Sequence, residues 1–250
     1  MTGFRERSST PDTTKSSAAR ILCPAVGEMK HTTHIQVSES FQLYALLALT
    51  GGFLDVYTYI TRSHVFANAQ TGNIVLLGLN LAEGNFRNVL DYFFPILAFA
   101  LGILFTEWIR SRYKDYDLLH WRQIVVFFEM LLLFFPALMP SGAWDTVVNV
   151  LVSFVCAVQV ESFRKVNGHS VATTMCTGNL RSATEQIFQY IRSRDPAAAK
   201  CIANYYAIIL FFIIGAAFGT ALTLAFAEPA ILFCCGFLGI AFLSMFAKEL

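Results

Sequence analysis

ANAQTGN, running from Ala67 to Asn73, returns about a hundred residues later as TTMCTGN, Thr173 to Asn179. Both runs are small and polar, and both lead into a segment with the look of a helix, NIVLLGLNLA in the first case and LRSATEQIF in the second. Around them the chain is rich in Phe, Leu, Ile and Ala. A polar Thr-Gly-Asn triplet placed twice in such surroundings calls for protein or water around it, since bare backbone groups in lipid cost several kcal/mol each.

The surroundings are those of a bilayer protein. Of 250 residues 56% are hydrophobic, 24 are Phe and 14% are charged, far from the balance of a soluble domain. Crossing the hydrocarbon takes about 20 apolar residues. Six runs approach this, with rough bounds Phe41 to Ile60, Val89 to Ile109, Ile124 to Leu138, Thr146 to Phe163, Tyr205 to Phe226 and Pro229 to Phe246. The expected fold is all-α and integral to the membrane, with six transmembrane helices and two shorter re-entrant half-helices.

Residues 1–40 are polar and rich in Ser and Thr, with no apolar core of a cleavable signal, and read as a disordered tail ahead of a membrane domain over 41–250. A net charge of +1 argues against a broad nucleic-acid surface. The cysteines, Cys23, Cys156, Cys176, Cys201, Cys234 and Cys235, have neither zinc-ligand spacing nor a disulfide framework, and read as buried thiols. His31 and His34 in the tail are not taken as metal ligands. With no phosphate loop, nucleophile elbow or zinc-protease motif, no cofactor is expected.

A shift of 106 residues lays the stretch from Gly51 over that from Ala157, with four of 23 positions identical, the whole triplet among them. Asp55 then falls on Glu161. A further seven-residue insertion sets DYFFPILAFALG on NYYAIILFFIIG, with Gly102 over Gly215. The chain therefore reads as a duplicated unit, about 41–139 and about 145–247. Basic residues collect on the cytoplasmic side of span ends. With six spans and two returning elements, Arg62 and Arg87 stand outside while the basic clusters stay inside, so both termini are cytoplasmic. Three spans per half make the halves an inverted repeat, a common plan of transporters.

Within the triplets, Thr71 and Thr177 suit an N-cap, and Gly72 and Gly178 leave backbone open to close approach. A half-helix N-terminus at mid-membrane favours an anion or a carboxylate. Ionisable groups within spans are functional candidates: Asp55 and Glu161 as a proton or cation site or a structural pair with Arg62, Arg164 or Arg181, and Glu129 as a relay or a buried hydrogen bond. Arg181 is a candidate counter-ion. Its helix can instead lie at the interface with Leu180, Ala183, Ile187, Phe188 and Ile191 inward. Gly215 and Gly219 give a small-residue helix contact.

From GGFLD through ANAQTGNIVLLG to the second TTMCTGN, roughly residues 41 to 247, the chain resembles the YoaK-like family of small multi-pass membrane proteins of unknown function. The resemblance carries over Asn68, Thr71, Gly72 and Asn73, and more loosely Thr173, Thr177 and Gly178. It brings an architecture and no activity.

The reading is a secondary carrier or channel for a small solute, an anion by the half-helix argument, coupled to protons or cations. Asn68, Thr71, Gly72, Asn73, Thr177, Gly178 and Asn179 would contact the solute; Asp55, Glu161 and Glu129 would couple. An intramembrane lipid-modifying enzyme and a non-transporting scaffold or sensor are the alternatives. The expected setting is a plasma or inner membrane, with the bilayer and the solute as partners and homo-oligomers left open.

Overall fold

A computed structural model describes residues 41–112, 118–166, 169–170 and 173–246; the expected tail over residues 1–40 lies outside them. Eight α-helices follow in order: α1 Phe41–Thr61, α2 Gln70–Ala82, α3 Phe86–Arg112, α4 Leu118–Phe134, α5 Asp145–Ser162, α6 Cys176–Ser193, α7 Pro196–Phe226 and α8 Leu232–Phe246. Short 3-10 turns at Phe135–Leu138 and Glu228–Ile231 adjoin α4 and α8. A two-residue antiparallel pairing joins Lys165–Val166 to His169–Ser170 ahead of α6.

Among the described residues six segments are long and apolar enough to cross a bilayer: α1, α3, α5 and α7, with α4 and α8 counted together with their 3-10 turns. This is a multi-pass membrane protein. The 13 residues of α2 rise only about 20 Å, short of a hydrocarbon layer of about 30 Å. Its polarity is inverted relative to a soluble helix: Asn73 and Asn80 are buried while Ile74, Val75, Leu79 and Leu81 are exposed. Helix α6 is mixed, with Asn179 and Ala183 buried and Leu180, Arg181, Phe188 and Ile191 exposed. Of the residues read as one inward apolar face, Leu180, Phe188 and Ile191 form an exposed apolar stripe of the kind an interfacial helix turns toward lipid. Compared with the sequence reading, α7 starts earlier, at Pro196, because the Asp195 side chain accepts the Ala197 N–H at 2.8 Å and Pro196 is preorganised for the first turn.

Helix α1 packs along α7, and α5 along α3. In the same way α2 lies on α3 and α6 on α7, α1 meets α8 and α5 meets α4, and α4 and α8 meet each other. Exchanging the first four helices with the last four leaves this set of partners unchanged. The exchange extends to burial: within one apolar 18-residue stretch of each span, 72% is buried in α1 and 61% in α5, against 22–39% in the other four. So α1 and α5 form the interior, and the Phe-rich flanks of α3, α4, α7 and α8 face outward.

Close backbone approach explains the glycines. A Cβ on Gly52 would run into the Phe212 carbonyl, and one on Gly215 into the Leu49 carbonyl. At the equivalent place in α3, a Cβ on Gly102 would lie 2.7 Å from Ala157 Cβ and 2.9 Å from the Phe154 carbonyl of α5. Without side chains at these points, each pair of helices gains van der Waals contact in an environment where lipid removes the usual hydrophobic drive.

Beyond α1 the chain turns through Ser63 and His64, both left-handed at φ 56° and 58°. The bend is held by Arg62, which is fully buried. Its guanidinium meets Asp145 at 3.4 Å and donates to the Pro136 carbonyl at 3.0 Å, the Met139 carbonyl at 2.7 Å and the Tyr57 hydroxyl at 3.2 Å. One side chain thus ties α1, the end of α4 and the start of α5. Removing one member of such a buried pair costs about 3–5 kcal/mol.

Candidate functional site

The two triplet elements meet at one cavity of about 580 Å³, within the range of small-molecule sites. Asn68, Ala69, Gln70 and Thr71 line it from one element, and Thr174, Met175, Cys176 and Thr177 from the other. These are matched positions at the 106-residue offset. Phe99 of α3 and Phe212 of α7, matched after the seven-residue insertion, also line it. The wall is completed by Gly52, Asp55 and Val56 of α1, Phe66, Gly178, Asn179 and Ser182, and Ala216 of α7.

Helices α2 and α6 begin at Gln70 and Cys176, so Thr71 and Thr177 are their second residues and not their caps. Ala69 and Met175 occupy the cap positions and neither supplies a side-chain hydrogen bond. The turn before α2 is held from outside the element. Asp55 Oδ1 of α1 accepts the Asn68 N–H at 2.6 Å and the Ala69 N–H at 3.4 Å. Asn68 returns a bond from its amide to the Gly51 carbonyl at 3.2 Å. A carboxylate has acceptor capacity beyond those two bonds, and Asp55 stands at the cavity wall.

Of the residues expected to touch solute, Asn68, Thr71, Thr177, Gly178 and Asn179 line the cavity, whereas Gly72 and Asn73 stand behind it. Asn73 is fully buried. Its oxygen accepts the Phe66 N–H at 2.9 Å and its amide donates to the Phe66 carbonyl at 2.7 Å and to Gln70 Oε1 at 3.0 Å. It holds Phe66 in place, and the Phe66 ring covers Gly72.

The two acids matched by the offset separate. Glu161, near the end of α5, pairs with Arg164 at 2.8 Å and Arg110 at 3.6 Å, and Glu107 joins them through Arg110 at 3.0 Å and Arg164 at 3.3 Å. It is not among the lining residues. Glu129 of α4 is buried, with neither carboxyl oxygen hydrogen-bonded among the described residues. Arg181 is exposed and pairs with Glu185 at 2.9 Å on its own helix. Arg62 serves Asp145 rather than Asp55.

Phe66, Phe99, Thr174, Ser182 and Phe212 are cavity residues that inspection of the triplets passes over. Thr174 was recoverable as the offset partner of Asn68, and Phe212 as that of Phe99. Among the described residues two polar atoms of wall residues lack partners: Asn68 Oδ1 and Thr174 Oγ1, in residues each 6% exposed. Such atoms are uncommon and call for a water, an ion or a ligand.

A family model described as a protein of unknown function, DUF1275, matches residues 43–244. The UPF0700 transmembrane protein YoaK of Bacillus subtilis (strain 168) is 26% identical over 200 residues, which cover 75% of this chain and 83% of that protein. No solved structure matches the chain.

Proposed function

The chain belongs to the DUF1275 family of multi-pass membrane proteins, and from that premise and the cavity we propose that it is a secondary transporter or channel for a small solute. The observation that carries this reading is the meeting of matched residues from α2 and α6, the two helices outside the six spans, at one cavity beside the carboxyl of Asp55. An interior acid in a membrane span is costly to keep and is a coupling candidate by default. Short helices that end within the bilayer supply backbone N–H groups for a solute where a continuous helix would have none free. On this reading the two halves form an inverted repeat, both termini are cytoplasmic, and opening alternates as one half moves against the other. Asn68, Thr71, Thr177, Gly178 and Asn179 contact the solute, and Asp55 couples a proton or cation to its movement.

Cys176 offers a test that needs no knowledge of the solute, because it lines the cavity in the native chain. With the other five cysteines replaced by alanine, Cys176 reacts with a small membrane-impermeant thiol reagent in sealed vesicles, and bulky reagents are excluded. Absence of reaction from either side of the membrane in folded protein would overturn the reading, since a solute pathway must be wet.

A further inference from the structure

We propose that this cavity takes a small zwitterion of the amino-acid type, with its ammonium group at Asp55 and its carboxylate at the N-terminus of α6. The inference rests on the transport reading, specifies its substrate class and gives Asp55 the ammonium group of the substrate in place of a separate coupled ion.

The charge of the wall is the starting point. Among the lining residues Asp55 is the only ionisable side chain apart from the Cys176 thiol, and there is no Lys, Arg or His. A free anion would meet a carboxylate with no basic side chain to offset it. The two helix starts are also unequal. Asp55 already sits against the turn that leads into α2 through Asn68 and Ala69, so that end has its negative partner. The start of α6 has none: its first turn holds no acid and its cap position gives no side-chain bond. Cys176, Thr177 and Gly178 nevertheless line the cavity, and a Cβ on Gly178 would meet nothing within 4 Å. Open space at an uncapped start of an 18-residue helix is where a carboxylate gains most from N–H groups and the helix dipole.

An ammonium group alone would leave that end of the cavity unused, and a carboxylate alone would face Asp55. A molecule carrying both charges on neighbouring atoms satisfies both. Asn68 Oδ1 and Thr174 Oγ1, unpartnered atoms in residues nine-tenths buried, belong to the same wall. Phe66, Phe99 and Phe212 furnish an apolar wall for a side chain, and aromatic faces also favour a cation.

The test is a binding series on the purified full-length protein in detergent, read as ligand-dependent shifts of the unfolding midpoint. Amino acids from glycine to phenylalanine are each compared with the matching amine and acid; for leucine these are 3-methylbutylamine and 4-methylpentanoate. The expected result is saturable binding of at least one amino acid, with both of its counterparts at least tenfold weaker. Asp55→Asn should weaken the amino acid at least tenfold and tighten the acid counterpart, which no longer faces a like charge. Thr174→Val, which keeps the shape and removes the hydroxyl, should weaken it severalfold. An amine binding as tightly as its amino acid would overturn the proposal in favour of a cation site, and an acid binding as tightly would do so in favour of an anion site. If no amino acid binds while Cys176 still reacts from the aqueous phase, the zwitterion is wrong and the pathway stands; if Cys176 does not react, the pathway itself has failed. Should Asp55→Asn not fold, the comparison of amino acid, amine and acid on the native chain decides alone.

Discussion

At Gly72 an added methyl group would lie 2.9 Å from the Phe66 ring, whereas at Gly178 it would meet nothing within 4 Å. Glycines identical in both runs therefore sit in different surroundings, although Thr71 and Thr177 both line the cavity. In the first element Asn73 and Asp55 spend their hydrogen bonds on the chain that precedes α2, and Phe66 is packed down over the glycine. In the second, the start of α6 opens onto the cavity. The acids divide in parallel, Asp55 at the cavity and Glu161 in a partly exposed ion-pair cluster with Arg164 and Arg110. A repeated motif thus marks where two elements meet without making them equivalent: one element is built as a rigid wall and the other is left available.

That contrast can be broken by substitution. The largest effect is expected of Asn73→Leu, which strips the Phe66 N–H and carbonyl of their partners; at about 1–3 kcal/mol for each buried group left unpaired, the unfolding midpoint in detergent should fall steeply. A small loss would mean that Asn73 is not a structural anchor. Next comes Asp55→Ala, which frees the Asn68 and Ala69 N–H groups and should lose about 1.5–3 kcal/mol, while Asp55→Asn keeps an acceptor and stays closer to the native midpoint. Gly72→Ala should lose about 1 kcal/mol, at the low end of overpacking, because the ring of Phe66 can swing aside. Gly178→Ala should leave the midpoint unchanged or raise it by about 0.5–1 kcal/mol, the ordinary preference of a helix for Ala. Equal responses to the two alanine substitutions would erase the distinction. A sharper version places single cysteines at the two glycines: Gly178→Cys should react with an impermeant thiol reagent and Gly72→Cys should not.

The six spans were legible because length and apolarity are local properties, and a run such as Tyr205 to Phe226 has no other home. The short helices were legible through the Thr-Gly-Asn repeat, and their starts fall at the same 106-residue offset found in the sequence. Partnership was not legible. Nothing near Arg62 announces Asp145, and nothing near Gly52 announces Phe212, since each contact closes over a long loop. For α6 the apolar stripe Leu180, Phe188 and Ile191 was legible but not what it faces, and in the structure these side chains are exposed. The capping role expected of Thr71 and Thr177 failed because each helix starts one residue earlier, at Gln70 and Cys176, which makes the two threonines second residues.

The packing of α1 along α7 also sets an order of events at the ribosome. Synthesis delivers α1 first, with the bare backbone around Gly52 and the Asp55 carboxyl exposed to whatever surrounds it, and at about 5–20 residues per second its partner arrives on the order of ten seconds later. During that interval the interior helix of the finished protein has no interior. Chains halted before Pro196 should therefore be held by the insertion machinery or degraded, and the second half of the gene product acts as the assembly factor for the first.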